Sequence, residues 1–370
     1  MKAFTKEYIN VNKAVLFIIR YAVSSFLLFS SAFIILRFPS QSAQGVKNGI
    51  DICLGSLVPG LYPFMIITNL YLYSGLSETR FSFIDRLCRF MFRLPGCCAT
   101  VILFSLIGGL PIGAGMSAQL YERGMISREQ CRRMLCFCVN PGPAFVISVV
   151  GHSALNSEKA GLLIYLSLIL SSLIIGVLSG FFIADAETFK ISEPAKLTAE
   201  GKSCVESAVV RSSKSIFGIC AWVVAFSCFS EIISNMGFSE GVSSFLMCIT
   251  EMTRGSVVAS ESYPIPVVAA VIGFSGICGH FQLLRYINAA ELKYKFFLVS
   301  RIINAGLSAV ICGLLLKLFP VAEETFSVGV RPERGQLSGS VVLSVLMILM
   351  AALFVLGDDY RVTRKKLKKL

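Results

Sequence analysis

The chain has 370 residues, 55% of them hydrophobic and 15% charged, with a formal net charge of +12 and a mean hydropathy of +0.74. That apolar content predicts an all-α polytopic membrane protein. The positive balance excludes no membrane role and argues against nucleic acid as a partner, because Lys and Arg fall in short clusters between apolar stretches, where the positive-inside rule puts them.

In chain order, the first apolar stretch covers 14–36. It is too long for a signal-peptide core and lacks a small-x-small cleavage site, so it reads as a first span. With the N-terminus cytoplasmic, span 50–73 returns to Arg80, Arg86, Arg89 and Arg93. The segment 97–120 carries the break Gly108-Gly109-Leu110-Pro111-Ile112-Gly113-Ala114-Gly115. A full crossing here would leave Arg123, Arg128, Arg132 and Arg133 outside, whereas a re-entrant hairpin bent at the break keeps them inside. Spans 134–150 and 162–184 then lead out and back to a polar linker, 185–207. Span 215–235 leads out again, and 242–258 reads as a second hairpin entering from outside. Spans 265–284, 297–318 and 340–357 finish the pattern, ending in the basic tail Arg361 to Lys369.

On this topology only Arg37, Lys47, Lys159, Arg331 and Arg334 of the 34 Lys and Arg residues lie in outside loops. The expected architecture is eight transmembrane helices plus two re-entrant helical hairpins in inverted repeats. Its parts are a flanking helix (1–45), a first repeat (46–184), a cytoplasmic linker (185–207), a second repeat (208–318), and a last helix with its tail (319–370). Both termini are expected in the cytoplasm, with the tail touching anionic lipid.

Matched breaks in the two halves point to a substrate site, because backbone groups freed from a helix cannot face lipid. In the first half, Pro111, Gly113, Ala114 and Gly115 would form a tip where a restarting helix offers N–H groups to an anion, or else a tight turn for close helix packing. Asn140 and Gly142, in Asn140-Pro141-Gly142-Pro143, predict an unwound stretch with an amide at membrane depth, or a kink alone. In the second half, Glu251, Thr253, Arg254 and Gly255 form the opposite break. Glu251 and Arg254 either neutralise one another or serve a ligand, Arg254 as a fork for a carboxylate or phosphate and Glu251 as its partner or a proton carrier. Gly273-Phe274-Ser275-Gly276 mirrors the first unwound stretch, with Ser275, Gly276 and Gln282 as neutral ligand contacts. His280 reads first as a satisfied packing residue, and Glu231 as a carboxylate reaching the outer boundary.

The thirteen cysteines lie almost entirely in apolar segments and lack zinc or redox spacing, so neither metal nor cofactor is expected. Gly273-Phe-Ser-Gly276 resembles the rhomboid-protease serine motif. His280 follows five residues later and no histidine comes after it, so no separate-helix dyad is available and no enzyme is expected.

The run from Val58-Pro-Gly-Leu-Tyr-Pro-Phe64 through Gly109-Leu-Pro-Ile-Gly-Ala114 and Asn140-Pro-Gly-Pro-Ala-Phe145 to Glu251-Met-Thr-Arg-Gly255, Gly276 and Gln282 resembles the YlbJ-type sporulation integral membrane proteins. These are placed in the nucleoside-recognition ("Gate") domain group, similar in architecture to concentrative nucleoside transporters. The resemblance covers about residues 45–318. It implies a secondary transporter of a small organic anion, dipicolinic acid, across the outer forespore membrane. Leu110 and Gly115 stand where the family pattern has a tyrosine and a basic residue, which leaves the ligand open to another small anion or a nucleoside. A nucleoside permease and a non-transporting spore-envelope assembly protein are the alternatives. Direction, coupling ion and oligomeric state, including a homo-oligomer, stay open at this point.

Overall fold

A computed structural model describes residues 22, 25, 26, 28–74, 82–182 and 203–321. The expected last span, the basic tail, most of the linker and the first half of span 14–36 lie outside the described residues. Every regular element among the described residues is helical. The order is α1 (Leu28–Arg37), α2 (Pro39–Ile52), a π-helical turn (Cys53–Leu57), α3 (Val58–Tyr73), α4 (Ser82–Phe92), α5 (Cys97–Gly108), α6 (Leu110–Glu122) and α7 (Arg128–Phe137). There follow a π-helical segment (Ala144–Ala154), α8 (Glu158–Phe182), α9 (Cys204–Asn235), α10 (Glu240–Thr250), α11 (Met252–Ser262), α12 (Ile265–Phe274), α13 (Gly276–Ala289) and α14 (Tyr294–Leu318).

Four described helices are long and apolar enough to cross a membrane, namely α8, α9, the α12–α13 pair and α14. Two bent pairs raise this to six. One of them joins α2 to α3 at 50°, at the π-helical turn ahead of Pro59. The other joins α4 to α5 at 82°, where Arg93 takes φ 51° before Pro95. The expected crossing at 134–150 is instead split into α7 and the π-helical segment by the non-helical stretch 138–142. Two expected domain boundaries fall inside helices, since 45/46 cuts α2 and 207/208 cuts α9.

Small residues set the packing. A Cβ on Gly45 would lie 2.6 Å from Cys228 Cα, and one on Gly49 would lie 2.8 Å from Val224 Cα. This Gly-x-x-x-Gly face thus seats α2 directly on the backbone of α9. At both expected places the chain turns from one helix into another that packs back on it. Between α5 and α6 the chain reverses at Gly109, whose φ of 87° favours glycine. Between α10 and α11 it reverses at Glu251, in extended conformation.

The pairing of elements is reciprocal. The second hairpin arm α6 packs against α13, the half of the broken helix beyond the second break, and α11 packs against the π-helical segment beyond the first break. Likewise α7 touches α14 while α12 touches α8. Two apolar cores result, one around α3, α6, α7 and α13, the other around α8, α11 and α12. Met252, at the tip of the second hairpin, packs against both.

Candidate functional site

Each hairpin tip presses on the break that follows it in its own half. At the first, a Cβ on Gly109 would lie 3.4 Å from Gly142 N, and one on Gly113 would fall 1.9 Å from the Cys138 carbonyl oxygen. At the second, a Cβ on Gly276 would fall 2.8 Å from Met252 N. Ser275 and Gly276 both adopt left-handed backbone there, with φ of 72° and 60°. The halves meet where Leu110 comes within 3.7 Å of the Cβ position of Gly279, whose own nearest neighbour is Ser275 Cβ at 3.4 Å. Gly109 and Gly113 thus lie against the stretch holding Asn140 and Gly142, and Glu251 and Met252 against Gly276.

The two tips differ in chemistry. Glu251 is 3% exposed and is the N-cap of α11. Its carboxylate oxygens accept from Thr253 N at 2.9 Å and Arg254 N at 2.6 Å. The positive end of α11 already holds an anion, the protein's own. The N-terminus of α6 has Gly109 as N-cap and no side-chain cap; Pro111 brings no N–H there, and Ile112 N donates to Gly109 O at 3.2 Å.

Arg254 does not pair with Glu251. Its Nη1 engages the Glu231 carboxylate on α9, which also accepts from Asn48 Nδ2 at 3.2 Å. The mutual neutralisation of Glu251 and Arg254 is thus corrected, and Glu231 is an intramolecular partner with a side chain only 15% exposed. The cause is the cap itself, because both oxygens of Glu251 are turned onto the helix start and the guanidinium projects to the α9 side.

Asn140 is buried; its Nδ2 donates to Phe137 O at 3.0 Å and to Ser172 Oγ at 2.8 Å. Its Oδ1 is buried with no hydrogen-bond partner among the described residues. Gln119, two turns along α6 from the tip, donates to Asn69 Oδ1 at 2.8 Å and leaves its own Oε1 unpartnered. Asn69 in turn donates to Ser212 Oγ on α9 at 2.9 Å. Gln282 Nε2 donates to Cys278 Sγ at 3.4 Å. Buried polar atoms without partners are uncommon in folded proteins, and Asn140 Oδ1 lies in the stretch against which the first tip packs.

His280 fits the packing reading. Its ring nitrogens meet Tyr294 Oη at 3.0 Å and Phe274 O at 2.9 Å. The Ser275 hydroxyl donates to Ile272 O at 3.4 Å, so Ser275 and His280 share no hydrogen bond. Among the described residues no three His, Cys, Asp or Glu side chains cluster as metal ligands.

Several arginines act inside the fold. Arg301 is fully buried on α14 and donates to Val139 O at 2.6 Å and to Cys136 O, the carbonyls freed at the first break. Arg133 reaches Phe92 O and Arg93 O at the end of α4, and Arg123 reaches Leu72 O near the end of α3. Cations at helix C-termini complement the macrodipole and satisfy orphan carbonyls. Asn304 serves the second break, donating to Gly273 O at 3.0 Å. The signal for Arg301 was present as an arginine inside an apolar span, and that for α2 as Gly45-x-x-x-Gly49.

No protein-family model matches the chain, and no solved structure matches it. A curated relative does match. The chain is a homologue of the sporulation integral membrane protein YlbJ of Bacillus subtilis (strain 168), 23% identical over 340 residues covering 80% of this chain and 82% of that protein, in agreement with the YlbJ-type likeness of its motifs.

Proposed function

We propose that this integral membrane protein is a secondary transporter of a small organic anion, dipicolinate first, acting at the outer forespore membrane during sporulation with both termini in the cytoplasm. The observation that carries the reading is the packing of each hairpin tip on the helix break that follows it, with the two halves touching at Leu110 and Gly279. Reciprocal packing of hairpin arms on the opposite half's broken helix is what inverted repeats of the nucleoside-recognition type would produce. In alternating access, one half would move against the other around that contact, with no covalent step and no metal or cofactor.

The substrate anion would sit at the α6 tip, against the Pro111–Gly115 backbone, with Asn140 holding the adjoining unwound stretch through Phe137 O and Ser172 Oγ. Glu251 and Arg254 would hold the second tip in place rather than bind the anion themselves. Uptake of labelled dipicolinate into proteoliposomes, with uridine as competitor, tests this. Saturable uptake that uridine leaves untouched is expected. Uptake that uridine abolishes would move the assignment to a nucleoside permease. Absence of uptake by folded protein in either orientation would leave the assembly role.

A further inference from the structure

A pocket of about 490 Å3 opens between the ends of α3 and α6 and the faces of α9 and α13, away from the hairpin tips. Such a volume suits a small ligand. Arg211, Lys214 and Arg285 line it against a single carboxylate, Glu122. Glu122 is committed to Arg211 at 2.8 Å. Lys214 and Arg285 are exposed to the pocket and make no ion pair among the described residues.

Arg285 is held in a fixed pose. Its Nη2 donates to Ser215 Oγ at 2.7 Å and to Tyr286 Oη, and its guanidinium stacks over the Tyr286 ring, 4.4 Å from the centroid. A planar fork ordered in this way has already lost its rotamer freedom and presents its remaining N–H groups to a ligand. Two unneutralised cations in one concavity repel each other and focus a positive potential into it. An anion carrying two negative charges relieves that repulsion, and a neutral ligand does not.

The pocket shares helix α6 with the candidate site. Tyr286 Oη lies 3.2 Å from the Cβ position of Gly115, and Glu122 ends the helix that Leu110 begins at the tip. The two places are opposite ends of α6, about 18 Å apart at the rise of an α-helix. By the charge distribution of the sequence, this end faces the cytoplasm.

We propose that this pocket binds a small dianion, a dicarboxylate or inorganic phosphate, at the inner mouth of the protein, with Lys214 and Arg285 as its ligands. The proposal takes from the transport reading only the choice of dipicolinate as a probe. Equilibrium binding of dipicolinate and of phosphate to the full chain in phosphatidylcholine nanodiscs tests it, comparing wild type, Lys214→Gln, Arg285→Gln and Arg285→Lys. Lys214 is on the surface, so its variant reports on binding without threatening the fold.

The expected result is saturable binding of at least one dianion, weakened about ten-fold or more by each glutamine variant, the size of one charge-assisted hydrogen bond. Arg285→Lys should recover part of the loss. Which probe binds tells a dicarboxylate from a phosphate ligand. Equal affinity in wild type and Lys214→Gln, or no binding of either dianion, would overturn the proposal. Abolition of binding when phosphatidylglycerol replaces part of the phosphatidylcholine would overturn it in favour of a lipid headgroup. Proteoliposome uptake separates the two readings. Pocket-dependent binding without dipicolinate uptake sinks the transport assignment alone, and uptake with unchanged binding in the variants sinks the pocket alone.

Discussion

Gly113 is where one methyl group tests the candidate site most sharply. It lies in the first turns of α6, fully enclosed. A Cβ there would stand 1.9 Å from the Cys138 carbonyl oxygen and 2.6 Å from Ser105 Cβ. Cβ contacts below 3.0 Å essentially do not occur, so Gly113→Ala must widen the first gap from 1.9 Å to at least 3.0 Å. The obstacle is backbone, so no rotamer change relieves it, and the tip of the first hairpin must withdraw from the unwound stretch. Overpacking of this kind costs about 1–3 kcal/mol or more, against about 1 kcal/mol regained from alanine's helix preference. Gly218→Ala on α9 and Gly306→Ala on α14 make the same chemical change where nothing lies within 4 Å, and should be neutral or stabilising by up to about 1 kcal/mol. Thermal unfolding of the detergent-purified variants, followed by dipicolinate uptake, reads both consequences. Gly113→Ala should melt below wild type and lose uptake while the two controls keep both. A Gly113→Ala protein that melts and transports like Gly218→Ala would refute the close contact of tip and break, and with it the site.

Glu231→Gln should destabilise the protein by about 1–2 kcal/mol by leaving Arg254 without its partly buried partner. A double-mutant cycle with Arg254→Gln should recover part of that loss, and additive effects would show that the pair is uncoupled. Glu251→Ala removes the cap of α11 and should cost about 1–2 kcal/mol in thermal unfolding, with Glu251→Gln losing less because one acceptor oxygen remains. Arg301→Met should be the most damaging of the set, about 2–5 kcal/mol, since it strands the Cys136 and Val139 carbonyls inside the fold; normal expression and melting of that variant would contradict the capping role. Gly45→Leu should separate α2 from α9 and lower the melting temperature, whereas Gly60→Ala, with open space around it, should not.

The hairpins and breaks were legible because their signals are local. Pro111 and the surrounding glycines interrupt an apolar run, and no helix continues through Asn140-Pro141-Gly142-Pro143 whatever packs around it. The same holds for the left-handed pair Ser275-Gly276, where glycine is the residue that tolerates the conformation. Helix lengths were less legible. α9 runs from Cys204, eleven residues before the expected start at 215, because its polar first turns pack on Tyr62 and Asn69 rather than ending at a lipid boundary. The apolar pattern marks lipid contact, and it is silent where a helix continues against protein.

Sequence by itself therefore determined the class of the molecule, the helix breaks marked by Gly109, Asn140-Pro-Gly-Pro143, Glu251 and Ser275-Gly276, and the residue types available there, since hydropathy, glycine and proline act over a few neighbours. The bends at 53–57 and 93–96 were not read from it. Only the tertiary structure decided which charge meets which. Glu251 and Arg254 are three residues apart, yet Glu251 caps the helix start and Arg254 reaches Glu231, twenty-three residues earlier in the chain. The convergence of Glu122, Lys214 and Arg285 on one pocket has the same origin. Charges in a low-dielectric interior settle where orphan backbone groups and opposite charges are brought by packing, and that geometry is fixed only when distant helices meet.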